Sequence, residues 1–89
     1  MSGIKVIIFD DNNSLRDSIA MLLQDTDDFT LAGAYSHCLD LTENIRDTKP
    51  DVVIMDIDMP GMNGIEGDKL IRKNFLSVQV LMLTVFDDD

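Results

Sequence analysis

The residues most able to do chemistry in this sequence are acidic, and they follow apolar stretches that have the length of a β-strand. They are Asp10, Asp11, Asp56 and Asp58, and the hydroxyl of Thr84 closes a further apolar stretch. Two carboxylates about 4 Å apart repel by roughly 4 kcal/mol at an effective dielectric near 20, so a cluster of them needs compensation. A shared proton could provide it, but a divalent cation does so better. Because Mg²⁺ prefers hard oxygen ligands and usually binds carboxylates together with phosphate oxygens, the cluster indicates magnesium and a phosphoryl group.

Alternating strand and helix patterns must bring these residues together. Apolar runs predict strands over residues 4–9, 29–35, 52–55 and 78–85. Helical spacing predicts a helix that starts after the capping residues 12–14, with Leu22 among the apolar residues of its inner face and Arg16 available for its outer face. Two more helices are predicted over 39–47 and 65–74. The order β-α-β-α-β-α-β implies right-handed crossovers and a parallel sheet with helices on both faces. In such a sheet the carboxyl ends of the strands form the ligand-binding edge, where the acidic residues are expected to converge.

The chemistry available at that edge is phosphoryl transfer. An ionised aspartate such as Asp56 is already a nucleophile toward phosphorus and needs no general base. Phosphoryl transfer depends mostly on positioning and on neutralising the charge of the phosphoryl oxygens. A metal ion can supply one neutralising contact, the Thr84 hydroxyl a hydrogen bond, and a lysine would normally supply the rest.

Three blocks of the sequence resemble the receiver domain of bacterial two-component response regulators. They are Asp10-Asp11 after the first strand, the block 53–64 (VIMDIDMPGMNG), and the block 80–84 (VLMLT). The middle block is the most specific, with an acceptor aspartate at a strand end followed by Met-Pro-Gly-Met-Asn-Gly. The resemblance implies an α/β, doubly wound parallel sheet of the flavodoxin-like receiver type.

The resemblance also implies a role for each site residue. Asp56 would be the phosphoacceptor, Asp11 a direct ligand of Mg²⁺, and Asp10 a ligand acting mainly through a bound water. Asp58 would offer its backbone carbonyl to the metal, and Thr84 would be the switch hydroxyl that turns toward the phosphoryl group. The expected partner is a sensor histidine kinase or a phosphotransfer protein. No enzymatic activity is expected beyond the phosphoryl transfer and dephosphorylation of the domain itself.

The sequence also departs from the family pattern. Receivers continue through a fourth helix, a fifth strand and a fifth helix, so residues 1–89 are expected to form an incomplete receiver domain that lacks this last helix-strand-helix. The family lysine at the end of the fifth strand has no counterpart here. The strand over 78–85 would then be a bare apolar edge, which predicts a homodimer or an exchange of elements through it.

Composition excludes several other classes of protein. The 89 residues include 7 basic and 17 acidic side chains, giving a formal net charge of −10, which argues against a nucleic-acid surface. The longest apolar runs have strand length, which argues against a membrane span. The amino terminus lacks the pattern of a signal peptide, and a single cysteine fits a reducing cytoplasm, where we expect the protein to reside.

Two other functions remain open at this level. Residues 9–15 faintly resemble the nucleophile loop of haloacid-dehalogenase-type phosphatases, with Asp10 as nucleophile, although that family has an aspartate where Asn12 stands. The chain could also be a docking module that is never phosphorylated. Cys38 is interpreted as a small packing residue, His37 as a loop or helix-start residue, and Met59 as either a loop-packing or a partner-contacting residue.

Overall fold

A computed structural model describes residues 3–57, 59 and 63–83. Within these residues, four parallel strands form one sheet. The strands are β1 (Ile4–Phe9), β2 (Phe29–Tyr35), β3 (Val52–Asp56) and β4 (Gln79–Leu83). Their order in the sheet is β2-β1-β3-β4, which confirms the predicted doubly wound topology, with β1 and β3 as inner strands and β2 at one edge.

Three helices connect the strands. They are α1 (Asn13–Gln24), α2 (Leu41–Thr48) and α3 (Gly64–Asn74). Asparagine caps two of them: Asn12 Oδ1 accepts a hydrogen bond from the backbone of Leu15, and Asn63 Oδ1 accepts one from that of Glu66, both at 3.0 Å. Within the described ranges, no helix combines the length and the apolar character needed to cross a bilayer.

The start of α2 differs from the prediction by two residues. The sequence predicts a helix from residue 39, but α2 begins at Leu41 because the chain first makes a turn in which the Leu41 backbone N–H donates to the carbonyl of Cys38 at 3.2 Å. Leu39 remains exposed, whereas Leu41 and Ile45 are buried. The apolar period of the helix therefore starts at Leu41.

The main core lies between the sheet and the α2/α3 layer. Successive side chains of a strand point to opposite faces, so alternate residues of β1 and β3 share this face. The buried residues of the core are Ile7, Phe9, Cys38, Leu41, Ile45, Val53, Met55, Met59 and Ile71. Tyr35 of β2 extends the core, since its ring stacks on that of Phe9 with the centroids 5.2 Å apart. Phe9 and Met55, which are paired near the carboxyl ends of β1 and β3, both belong to this core.

The opposite face, which carries α1, is only partly covered. Val6 and Ile8 of β1 are buried there, but α1 contains no buried residue and packs mainly on β2. The helical spacing places Leu22 on the inner face of α1, yet Leu22 is 69% exposed, so that expectation is wrong for this residue. Leu81 of β4 is 58% exposed. The described elements thus leave apolar surface on this face.

Candidate functional site

Three aspartates converge at the carboxyl ends of β1 and β3. Asp10 and Asp11 directly follow β1, and Asp56 is the last residue of β3. One carboxylate oxygen from each lies within 4.8 Å of the others. The two strands are neighbours in register, with Phe9 opposite Met55, so the residues that follow them meet at one edge of the sheet. The convergence predicted from the strand ends is confirmed for these three residues.

Asp10 is the most constrained of the three, because it is fully buried. Its Oδ1 accepts a hydrogen bond from the backbone N–H of Asn12 at 2.9 Å. Its Oδ2 is buried and has no hydrogen-bond partner within the described part of the chain. A buried carboxylate oxygen without a hydrogen bond is costly, and a bound cation would supply the missing interaction. An all-oxygen donor set with an unpaired buried oxygen fits a hard divalent cation.

The position of Asp56 is set by the close approach of α3 to the end of β3. Gly64, the first residue of α3, donates its backbone N–H to the carbonyl of Ile57 at 2.9 Å. A Cβ atom on Gly64 would collide with the carbonyl oxygen of Asp56 and lie 2.8 Å from the Cα of Ile57. Only glycine therefore allows the helix to begin this close to Asp56.

The fourth strand reaches the same edge of the sheet. Leu83 of β4 stands opposite Asp56, and its carbonyl accepts a hydrogen bond from the Ile57 backbone at 3.2 Å. Thr84 follows Leu83 in the sequence but lies outside the described residues, as do Asp58, Pro60 and Gly61. The parts of the expected site that depend on Thr84 and Asp58 stay predictions.

Comparison with known proteins decides the family. The family model described as "Response regulator receiver domain" matches residues 6–89. The transcriptional regulatory protein LnrK of Bacillus subtilis is 42% identical over 85 residues, which are 96% of this chain and 39% of LnrK. The chain belongs to the response regulator receiver family. The resemblance stated from the three sequence blocks is thereby confirmed.

Solved receiver domains have the same fold. The response regulator domain of Thermotoga maritima CheB superposes with a TM-score of 0.86 at 32% identity, covering 98% of this chain and 64% of that one. The isolated receiver domain of RcsB from Salmonella enterica, solved with the phosphomimetic BeF₃⁻, gives a TM-score of 0.87 at 27% identity, covering 97% and 64%. This receiver chain thus spans about two thirds of these solved domains and about two fifths of the length of LnrK.

Two side chains near the site of this receiver have structural roles. Cys38 is buried, with its Sγ 3.6 Å from the Sδ of Met55, which confirms it as a packing residue. Burial, and then the nearby charge of Asp56, raises the pKa of the Cys38 thiol to about 11. The thiol therefore stays protonated at neutral pH and is a poor nucleophile. His37 Nδ1 accepts a hydrogen bond from the backbone of Leu39 at 3.3 Å, and both residues precede α2, so His37 is a loop residue.

Met59, for which loop packing and partner contact were both open, is buried in the core. Loop packing is therefore the correct interpretation. Met62, the second methionine flanking this loop, lies outside the described residues.

Arg16 is the site residue that the sequence pattern misplaced. Helical spacing assigns it to the outer face of α1, but it is half-buried, and its Nη1 donates to the backbone carbonyl of Asp10 at 2.7 Å. Its Nη2 donates to Oδ1 of Asn13. A signal was present in the sequence, since an arginine in the first turn of a helix that follows a paired acidic motif can reach back to that motif.

Proposed function

We propose that this receiver accepts a phosphoryl group on Asp56 from a sensor histidine kinase or a phosphotransfer protein, in a Mg²⁺-dependent reaction in the cytoplasm. One observation carries the proposal: Asp10, Asp11 and Asp56 each place a carboxylate oxygen within 4.8 Å of the others, and Oδ2 of Asp10 is buried with no hydrogen-bond partner among the described residues. A receiver that keeps three carboxylates this close has a site built for a cation and for an anionic substrate.

The proposed reaction uses Asp56 as the nucleophile. A carboxylate oxygen of Asp56 forms a bond to the phosphorus of a phosphohistidine, and the P–N bond breaks. The electron pair of that bond returns to the imidazole, which takes up a proton, and Asp56 becomes an acyl phosphate. The transfer needs no external oxidant or base, because an ionised aspartate attacks directly.

The remaining residues hold the metal and respond to the phosphoryl group. Asp11 and Asp56 would bind Mg²⁺ directly, Asp10 through water, and Asp58 through its backbone carbonyl. The metal, when bound, neutralises charge on the phosphoryl oxygens. The hydroxyl of Thr84 would donate to the phosphoryl group, and this contact would bias the surface around β4 between two states. The proposed function is limited to phosphoryl transfer to and from this domain, without turnover of an external substrate.

Intact mass spectrometry after incubation with phosphoramidate, a small donor with a P–N bond, tests this function. We expect one added phosphoryl group per chain in the presence of Mg²⁺ and none in the presence of a chelator. Sustained release of inorganic phosphate from a generic phosphomonoester would instead support a phosphatase that uses Asp10. Absence of any adduct in Mg²⁺ would overturn the proposal and favour a docking module.

We further propose that two copies of this 89-residue chain associate through β4. Among the described strands, β4 pairs only with β3, which leaves its other backbone edge as a template for pairing. The strand carries no charged residue, and Leu81 is 58% exposed. The net charge of −10 opposes association, so salt should promote it.

Sedimentation velocity at increasing NaCl tests this association. The wild-type chain should become dimeric as salt screens the repulsion, because β4 then pairs across a two-fold axis. Leu81→Lys should stay monomeric, because a charged side chain on an edge strand disfavours pairing with a strand of a second chain. Leu76→Lys, at an 86% exposed position outside the strands, is the matched control and should behave as wild type. A monomer at every salt concentration would contradict the proposal.

A further inference from the structure

We infer that Arg16 is a positioning residue for the paired aspartates: its guanidinium fixes the peptide that joins Asp10 to Asp11 and thereby sets the geometry of the cation site. The inference rests on the proposed Mg²⁺-dependent function. Its basis is the hydrogen bond of 2.7 Å from Arg16 Nη1 to the backbone carbonyl of Asp10.

The bond to this carbonyl bears on Asp11 as well as on Asp10. The carbonyl of Asp10 and the N–H of Asp11 belong to one planar peptide, so fixing the oxygen fixes the orientation of the whole unit. Asp10 is also held by its own N–H, which donates to the carbonyl of Tyr35 at 3.0 Å, and by the contact of its Oδ1 with Asn12. Asp11 is exposed, so packing constrains it little, and the anchored peptide must orient it.

Arginine suits this position because its planar fork can donate in two directions at once. While Nη1 reaches Asp10, Nη2 donates to Oδ1 of Asn13, the first residue of α1. The backbone N–H of Arg16 in turn donates to the carbonyl of Asn12 at 2.9 Å, and Asn12 caps the helix through Leu15. The first turn of α1 and the loop after β1 are thus tied into one unit by contacts that meet at Arg16.

Charge alone predicts the opposite effect from positioning. Arg16 is a cation whose guanidinium contacts Asp10, a member of the carboxylate cluster, so its positive charge opposes the binding of a metal ion there. Removing the charge would tighten Mg²⁺ binding if electrostatics were its only contribution. Removing the anchor would weaken binding, because partners that orient metal ligands typically contribute ~10-fold or more to affinity. The sign of the change therefore separates the two roles.

Isothermal titration calorimetry with Mg²⁺ on the wild type and on Arg16→Met provides the test. We expect the dissociation constant of Mg²⁺ to rise ~10-fold in Arg16→Met. It should rise by less in Arg16→Lys and in Asn13→Ala, because each of these variants removes only one of the two hydrogen bonds that the guanidinium donates. Arg72→Met is the matched control: this exposed arginine pairs with Asp68 on α3, and its loss should leave Mg²⁺ affinity unchanged. Urea unfolding in chelator checks that each variant is folded.

The outcomes separate this inference from the proposed function. Wild-type protein that binds no Mg²⁺ would overturn the proposed function, and the role of Arg16 with it. Wild-type binding together with equal or tighter binding by folded Arg16→Met would overturn the role of Arg16 alone. If Arg16→Met does not fold, Arg16→Lys provides the test, because lysine keeps the positive charge but lacks the two-directional guanidinium donors. Wild-type Mg²⁺ affinity in Arg16→Lys would then overturn the inference.

Discussion

Replacing Asp56 by asparagine should abolish the phosphoryl adduct, and we expect no added mass in Asp56→Asn under conditions where the wild-type chain is fully labelled. The amide oxygen of asparagine is neutral and is a far weaker nucleophile than a carboxylate oxygen. The substitution conserves volume and removes one of three mutually repelling charges, so the fold should be at least as stable in chelator. Intact mass after incubation with phosphoramidate and Mg²⁺ measures the loss.

Asp47→Asn is the matched control for this experiment, because Asp47 is an exposed residue of α2 and lies outside the carboxylate cluster. It should be labelled like the wild type. Acyl phosphates are cleaved by hydroxylamine, so the wild-type label should be lost on that treatment. An adduct that persists in Asp56→Asn would place the acceptor elsewhere, and Asp10 is then the residue to examine.

Gly64→Ala should destabilise the fold by about 2–3 kcal/mol and slow the labelling of Asp56. The added Cβ would collide with the backbone carbonyl oxygen of Asp56 and lie 2.8 Å from the Cα of Ile57. Neither backbone atom can move without shifting the end of β3 relative to α3. That shift would displace Asp56 from Asp10 and Asp11. Even the folded molecules of the variant should therefore be phosphorylated more slowly than the wild type.

Gly67→Ala is a control on the same helix. A Cβ at Gly67 would lie 3.0 Å from the Cε of Met55, which is the flexible end of a side chain. Alanine is also favoured over glycine in a helix by about 1 kcal/mol, which offsets the crowding. Gly67→Ala should therefore unfold in urea within about 1 kcal/mol of the wild type. Equal stability of Gly64→Ala and Gly67→Ala would contradict the proposed packing at the start of α3.

Much of the fold could be predicted from the sequence because its elements have strong local patterns. The strand over 29–35 matches β2 at both ends, and Asn12, one of the capping residues predicted at 12–14, caps α1. The alternation of strands and helices predicts a parallel sheet, and the doubly wound order of its strands is what the resemblance to receiver domains implies. The convergence of Asp10, Asp11 and Asp56 follows in turn, because parallel strands bring their carboxyl ends to one edge.

Other features depend on contacts between distant residues and could not be predicted from local patterns. The register of β1 against β2 shifts between Val6 and Ile7, so that Ala32 is an extra residue in β2. Leu22 has the spacing of a buried residue but is exposed, because the burial of a helix face depends on which other elements cover it. The turn between Cys38 and Leu41, which makes α2 begin two residues later than predicted, is likewise not visible in the helical spacing.

The sequence by itself determined the elements, their order and the identity of the acidic residues, because these depend on side-chain chemistry and on short-range periodicity. Only the tertiary structure decided how close the carboxylates lie, that one oxygen of Asp10 is buried without a partner among the described residues, and that Arg16 turns back to the carbonyl of Asp10. Those facts depend on how a helix packs against the end of a strand in three dimensions, which the spacing of residues along the chain does not encode.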